Sequence, residues 1–327
     1  MLTVNRLNLR LNFGEKVDLD FNTLNQVCEV LSKTVDLSIC KPLAWKDANY
    51  WPDDTEGVST VSQFFAVGNS INFRYWWIDD KGEFNYSQGK KSGSMERGAK
   101  YMWRSLRMCQ KSNLFPLLNA KKLSTITLED VRRIFRDDEG RDVMPALKER
   151  MLNWRDLGNK LVEYWDGQFH NLVKEAGDSL FDFVEYSRQF RAFDDPLCKM
   201  VMVNAIMHQG RGIAKFHDGI FPGIDYQLLK QQMRIGIIVP KRDLKKKLVH
   251  TKLLGRKEAR ELRNAGLRSF LHIMEKTSIP GDIVDNIWWT NRKKCAALKP
   301  ECEKCLFNDV CKKKTEYGIP LEATRYY

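Results

Sequence analysis

Apolar residues recur at three- and four-residue intervals along most of the chain, which predicts a mainly α-helical protein. Within 20–34, Leu24, Val27, Val30 and Leu31 form one stripe. Thr127-Leu-Glu-Asp130 opens another helix in the manner of a capping box, with Val131, Ile134 and Phe135 on its buried side. From Met144 to Trp165, the residues Leu147, Met151, Trp154, Leu157 and Leu161 repeat the period, and 199–208, 226–235 and 259–275 continue it. One stretch breaks it. Ser70–Ile78 and Glu83–Ser87, around Asp79-Asp-Lys-Gly82, read as two strands of a hairpin crowded with aromatic side chains. Strand alternation would put Phe73 and Tyr75 on one face and Asn72, Arg74 and Trp76 on the other.

No internal repeat or Pro-rich linker interrupts the pattern. The simplest organisation is a helical body over 56–290 with the hairpin near 70–87, an N-terminal segment 1–55 wrapped outside it, and a distinct tail, 291–327. No apolar run approaches the roughly 18 to 20 residues of a membrane span, and Met1–Arg6 opens no signal-peptide core. A cytoplasmic protein without membrane contact is expected. Across 327 residues, 43% hydrophobic and 29% charged content excludes wholesale disorder.

Placing the charge adds to this picture. The net charge is +12, and residues 241–327 hold 21 Lys and Arg against 11 Asp and Glu, whereas the first 240 residues hold 33 against 31. An excess gathered in the last quarter points to a phosphate-bearing partner. The competing reading is a solvated face kept for solubility.

The same quarter holds four of the eight cysteines, Cys295, Cys302, Cys305 and Cys311, in the pattern C-x6-C-x2-C-x5-C. Cys28, Cys40, Cys109 and Cys198 are scattered and read as reduced, mostly packed thiols. Four thiolates within one short basic segment form a ligand set that a metal centre would neutralise. Zinc suits four cysteines too, though its usual arrangement is two C-x2-C knuckles and here there is one. The spacing resembles the iron-sulfur loop of the endonuclease III and adenine-glycosylase branch of the helix-hairpin-helix DNA glycosylases, which implies a [4Fe-4S] cluster.

Several phrases, in order over 60–327, resemble the queuosine-salvage family, the queuosine 5′-phosphate N-glycosylases, whose fold is related to those DNA glycosylases. They are Asn69-Ser-Ile-Asn-Phe-Arg-Tyr-Trp76, Val131-Arg-Arg-Ile-Phe-Arg136, Met144-Pro-Ala-Leu-Lys-Glu-Arg150, Gly167-Gln-Phe169, Ile224-Asp-Tyr-Gln227, Glu261-Leu-Arg263 and Thr324-Arg-Tyr-Tyr327. Two positions depart from the family pattern: Asn69 replaces an acid, and Gln227 replaces an arginine. The resemblance implies a helix-hairpin-helix glycosylase-like body that hydrolyses the N-glycosidic bond of a 7-deazaguanine nucleotide and releases the base.

That chemistry needs a carboxylate near the sugar, to stabilise the developing cation and orient water. Asp225 is the candidate, although an Asp before a helix is also a favoured N-cap. Lys199, in an otherwise apolar run, is expected beside it or on a phosphate or ribose oxygen, unless it snorkels to solvent. Phe73, Tyr75 and Trp76 are candidates for stacking on the base, with Asn69 and Asn72 on its edge. Tyr226 and Arg263 belong to the expected substrate-binding set, and Arg325 and Tyr327 are expected to close over a phosphate or the pocket mouth. Two other functions compete: a DNA glycosylase that flips a modified base and uses the basic tail on phosphates, and a non-catalytic nucleic-acid-binding protein of the same fold.

Overall fold

The computed structural model describes residues 6, 7, 9, 11, 14–38, 40–297, 299–324 and 326; Arg325 and Tyr327 lie outside them. The protein is mainly helical, and its short strands form two-stranded antiparallel pairs. The chain divides into two units, Met1–Leu43 with Asp218–Ala323, and Ala44–His217 with Thr324–Tyr327. Among the described residues no helix is long and apolar enough to cross a membrane.

In the unit built on Ala44–His217, the expected capping box opens the helix Leu128–Phe135: the Asp130 amide donates to Thr127 Oγ1 at 3.1 Å, and Thr127 N donates to Asp130 Oδ2 at 3.0 Å. The long helix runs over Leu147–Tyr164 and starts three residues after Met144, where the expected segment begins. Pro145 lacks the N–H a helix needs, and Ala146 takes a left-handed φ of 55°. Its buried side, with Trp154, Leu157 and Leu161, packs against Leu128–Phe135 and Ala120–Leu123. Val58–Asn69 packs on Lys199–Gly210, and their shared core holds Phe65, Phe169 and Phe183 around a fully buried His208.

In the unit built on Asp218–Ala323, the N-terminal residues are structural members. Val17–Leu19 pairs with Ile238–Pro240, and the helix Phe21–Thr34, capped by Asp20, packs on Arg256–Thr277. Tyr226–Ile235 and Gly281–Asn291 pack against each other and against that long helix. Trp288 is fully buried between Phe270 and Phe307. Some of the basic excess is internal here: Arg263 is buried, and Lys247 joins Lys16 in holding the buried Glu258 carboxylate. Lys245, Lys246, Arg256, Lys257 and Arg260 remain exposed.

Candidate active site

After Asn69 ends its helix, the chain runs to Trp76 without regular structure. The helix Leu147–Tyr164 supplies the reason. Arg150 has no solvent exposure, and its guanidinium donates to the carbonyls of Ile71, Phe73 (2.7 Å) and Arg74 (3.0 Å) as well as Pro145 (3.0 Å). The intervening carbonyl, of Asn72, accepts from Lys199 Nζ at 2.6 Å. Four successive carbonyls therefore face buried cations instead of a partner strand, and Arg74 takes a left-handed φ of 37°. The strand expected from residue 70 begins only at Trp76, as Trp76–Ile78 paired with Phe84–Tyr86.

This pinned segment carries a chain of amides. Tyr75 Oη donates to Asn72 Oδ1 at 2.7 Å, Asn72 Nδ2 to Asn69 Oδ1 at 3.2 Å, and Asn69 Nδ2 to Asn204 Oδ1 at 3.1 Å. Tyr75 and Asn72 thus share a side, contrary to the alternation expected of a strand. Asn69 is fully buried, whereas Asn72 is half-buried. Phe73 and Tyr75 are buried under the Arg150 guanidinium, 4.5 and 5.5 Å from their ring centres. Asn69, Asn72, Phe73, Tyr75 and Lys199 are therefore one cluster. Trp76 belongs to the hairpin, stacked on Phe84 with centroids 6.4 Å apart.

In the other unit, Asp225 is the N-cap of the helix Tyr226–Ile235. Its Oδ1 accepts from the amides of Gln227 (2.8 Å) and Leu228 (2.9 Å). Both bonds use the same oxygen, and the side chain is half-buried. The residue before it is braced: Arg263 Nη1 donates to Ile224 O at 3.1 Å, while Nε and Nη2 hold Glu322 Oε2 at 3.1 and 3.0 Å. Tyr226, the first helical residue, is buried. Gln227 accepts from the buried Lys230 ammonium at 2.8 Å, and burial pushes that amine down to about 8. Asp225, Tyr226 and Arg263 form a second cluster.

Cys295, Cys302, Cys305 and Cys311 line one cavity together with Gln231 and Arg234. Asn291 Nδ2 reaches Cys305 Sγ at 3.3 Å, Lys313 N reaches Cys311 Sγ at 3.3 Å, and Arg234 Nη1 stands 3.8 Å from Cys295 Sγ. Burial and the neighbouring thiols push Cys311 up. Among the described residues no three His, Cys, Asp or Glu side chains are grouped so as to hold a metal ion. Cys28, Cys109 and Cys198 are buried, and no described cysteine is in a disulfide.

Three elements of these clusters escaped the sequence pattern: Arg150, Arg234 and Asn204. The available signal was a polar side chain inside an apolar period, since Arg150 falls three residues after Leu147 and four before Trp154.

A profile of the queuosine salvage protein family matches residues 51–279. The chain belongs to this family. The matched segment includes the Asn69–Trp76 cluster, Arg150, Lys199, Asp225 and Arg263, and the cysteine loop lies beyond it. Among this queuosine-salvage chain's relatives are proteins named queuosine 5′-phosphate N-glycosylase/hydrolase. That of Sphaerobacter thermophilus is 25% identical over 183 residues, covering 56% of this chain and 51% of the relative. That of Nematostella vectensis is 22% identical over 262 residues (74% and 72%), and that of Mus musculus 28% over 170 residues (46% and 50%). The match thus spans about half the length of two of these curated relatives.

Proposed function

We propose that this chain hydrolyses the N-glycosidic bond of queuosine 5′-phosphate, or of a 7-deazaguanine nucleotide of that type, to give the free base and ribose 5-phosphate. Family membership and the names of the relatives support the reaction, and the placement of Asp225 carries the mechanism. As the bond lengthens, positive charge grows at C1′ and the ring oxygen. Asp225, fixed through Oδ1 by two amides at the positive end of a helix, has Oδ2 to set against that charge and to orient the attacking water. The water oxygen bonds to C1′, and one of its protons ends on the base.

A 7-deazapurine has no nitrogen at position seven, so departure cannot be assisted by protonation there. The base must instead leave against donors on its edge. The half-buried amide of Asn72, oriented by Tyr75 and the fully buried Asn69, is the group we assign to that edge, with Phe73 and Tyr75 as its apolar support. Lys199 fixes the Asn72 carbonyl. Tyr226 and Arg263 hold the Asp225 turn, and Lys230 on Gln227 supplies a cation one turn away from the position where the family pattern has arginine. Arg325 and Tyr327 remain our candidates for the phosphate, and Trp76 for the rim of the base slot. We also propose that the helical bodies are of the helix-hairpin-helix glycosylase type.

The donor set of the cysteine cavity fits a [4Fe-4S] cluster: four thiols around one space, three of them met by N–H donors of the kind that surround such clusters. Cys295, Cys302, Cys305 and Cys311 would hold the cluster. When bound, it supplies a compact cross-link, and no step of the hydrolysis is routed through it.

The exposed lysines and arginines of 241–260 keep a DNA glycosylase as the rival. Binding and base release should be measured with queuosine 5′-phosphate and with duplex DNA carrying a 7-deazaguanine. The proposal expects release from the mononucleotide and a weak salt dependence, whereas for duplex DNA log K falls against log[salt] with a slope of about −0.9 per neutralised phosphate. Release from DNA alone, with a steep salt slope, would establish the rival. Binding without release from either would leave a nucleic-acid-binding protein.

A further inference from the structure

The helix Tyr226–Ile235 has the proposed catalytic carboxylate at one end and the cysteine cavity at the other. At ten residues it is about 15 Å long, too short to be stable alone, so its order depends on what holds its ends. The cysteine segment holds much of the C-terminal end, beside the Gly236 and Ile237 amides on Gln232 O and the Gln232 side chain on Gly266 O and Ser269 Oγ. Lys312 N donates to Ile235 O at 2.9 Å and Lys314 N to Arg234 O at 3.0 Å, satisfying carbonyls that the helix itself leaves without partners.

Arg234 adds a second connection. It is buried, and its guanidinium donates to four carbonyls: Ala296 (Nη1, 2.8 Å) and Ala297 (Nη2, 3.0 Å) in the arm between Cys295 and Cys302, and Thr315 (Nη2, 3.1 Å) and Tyr317 (Nε, 2.7 Å) in the arm after Cys311. Gln231, one turn earlier, makes a third. Its Nε2 donates to Trp288 O at 3.0 Å, and its Oε1 accepts at 3.1 Å from Asn291 Nδ2, the same group that reaches Cys305 Sγ. Cys311 Sγ also donates to Arg234 O at 3.5 Å, so both arms of the loop and three of its sulfurs are tied to the end of the helix that Asp225 caps.

We infer that Arg234 is a positioning residue that makes the order of the Asp225 helix depend on the assembled cysteine loop. The inference rests on the catalytic and metal-centre readings proposed above, but its observable is the helix. A lysine keeps the charge with three donors in place of the planar fork and cannot span four carbonyls on two arms.

The test uses full-length wild type, R234M and R234K, with iron content, the visible and electron paramagnetic resonance spectra, and hydrogen exchange of peptides over 226–235. The helix Leu147–Tyr164 of the other unit is the internal control. In R234M, exchange over 226–235 should accelerate about tenfold or more with the control unchanged, R234K lying between. The spectra should shift because the guanidinium lies against Cys295 Sγ, and base release should fall through kcat with little change in KM. Wild-type exchange over 226–235 in iron-bearing R234M overturns the inference and leaves the cluster standing. A wild-type protein that contains no iron refutes the cluster, while accelerated exchange in R234M would still support the coupling. If R234M yields no folded protein, R234K decides: exchange equal to wild type overturns the inference.

Discussion

The cap that Asp225 forms and the catalytic role proposed for it can be separated by a pair of substitutions. As an N-cap it accepts two amide hydrogen bonds through Oδ1; as the proposed catalytic group it needs its negative charge. Asp225→Asn keeps an acceptor oxygen in the same place and removes the charge, whereas Asp225→Ala removes both. Asn and Asp are equivalent caps, and loss of a cap to Ala costs about 1 kcal/mol. The helix-end charge adds about 0.3 to 1 kcal/mol for the ionised form. D225N should therefore lie within about 1 kcal/mol of wild type, and D225A should lose about 1 to 2 kcal/mol, or roughly 2 to 8 °C in Tm at this domain size. Catalysis should not follow that order. Both variants should lose base release by about 100- to 10,000-fold, the range for a positioned acid or base, with substrate affinity changed little in D225N. Thermal unfolding and single-turnover base release on the same preparations measure both quantities. D225N turning over within a few-fold of wild type would remove Asp225 from the chemistry, and equal destabilisation of the two variants would refute the account of the cap.

His208 is enclosed by Ser62, the Asn204 carbonyl and three phenylalanines, and burial pushes it down to about 4. Its lowered folded value contributes stability that is present above about 6.5 and lost as pH falls toward 4, in total about 3 kcal/mol at 1.36 kcal/mol per unit; denaturant melts between pH 7 and 5 should show a decline that His208→Gln flattens. Glu258, bonded to Lys247, Gly255 N and Lys16, has its carboxyl held down at about 2 by the hydrogen bonds that outweigh its burial. Its stabilisation is present above about 4.5 and lost as pH falls toward 2, and because both lysines are partly exposed, Glu258→Gln should cost only about 1 to 2 kcal/mol at pH 7, read by chemical denaturation. Tyr75→Phe removes the bond that orients Asn72 and should reduce base release about tenfold with little change in Tm, since a net hydrogen bond is worth about 1 kcal/mol; unchanged kinetics would detach Asn72 from the base.

Local physics explains which features the sequence made legible. The helices 21–34, 128–135 and 226–235 follow their apolar periods closely, the helix 199–210 is apolar and buried nearly all round, and the capping box at Thr127 and the cap at Asp225 are chemistry within three residues. The four cysteines are likewise close in sequence and line one cavity. The pairing of Val17–Leu19 with Ile238–Pro240 was not legible, because its partners are more than 200 residues apart and each strand has three residues. The segment 70–75 misled for a different reason. Its composition suits a strand, but Arg150 and Lys199, distant in sequence, take the carbonyls a strand would offer to a neighbour. Arg150 and Arg234 share a signature that periodicity overlooks: a cation on a buried helical face whose acceptors are backbone carbonyls.

The reaction proposed for this chain is hydrolysis of the N-glycosidic bond of a 7-deazaguanine nucleotide. Its most direct measurement quantifies free base and ribose 5-phosphate together over time, with wild-type protein and queuosine 5′-phosphate. The two products should appear at equal rates, in amounts that exceed the enzyme present, and both should vanish in D225N. Unchanged queuosine 5′-phosphate after incubation with folded wild-type protein, or base release that D225N preserves, would contradict it.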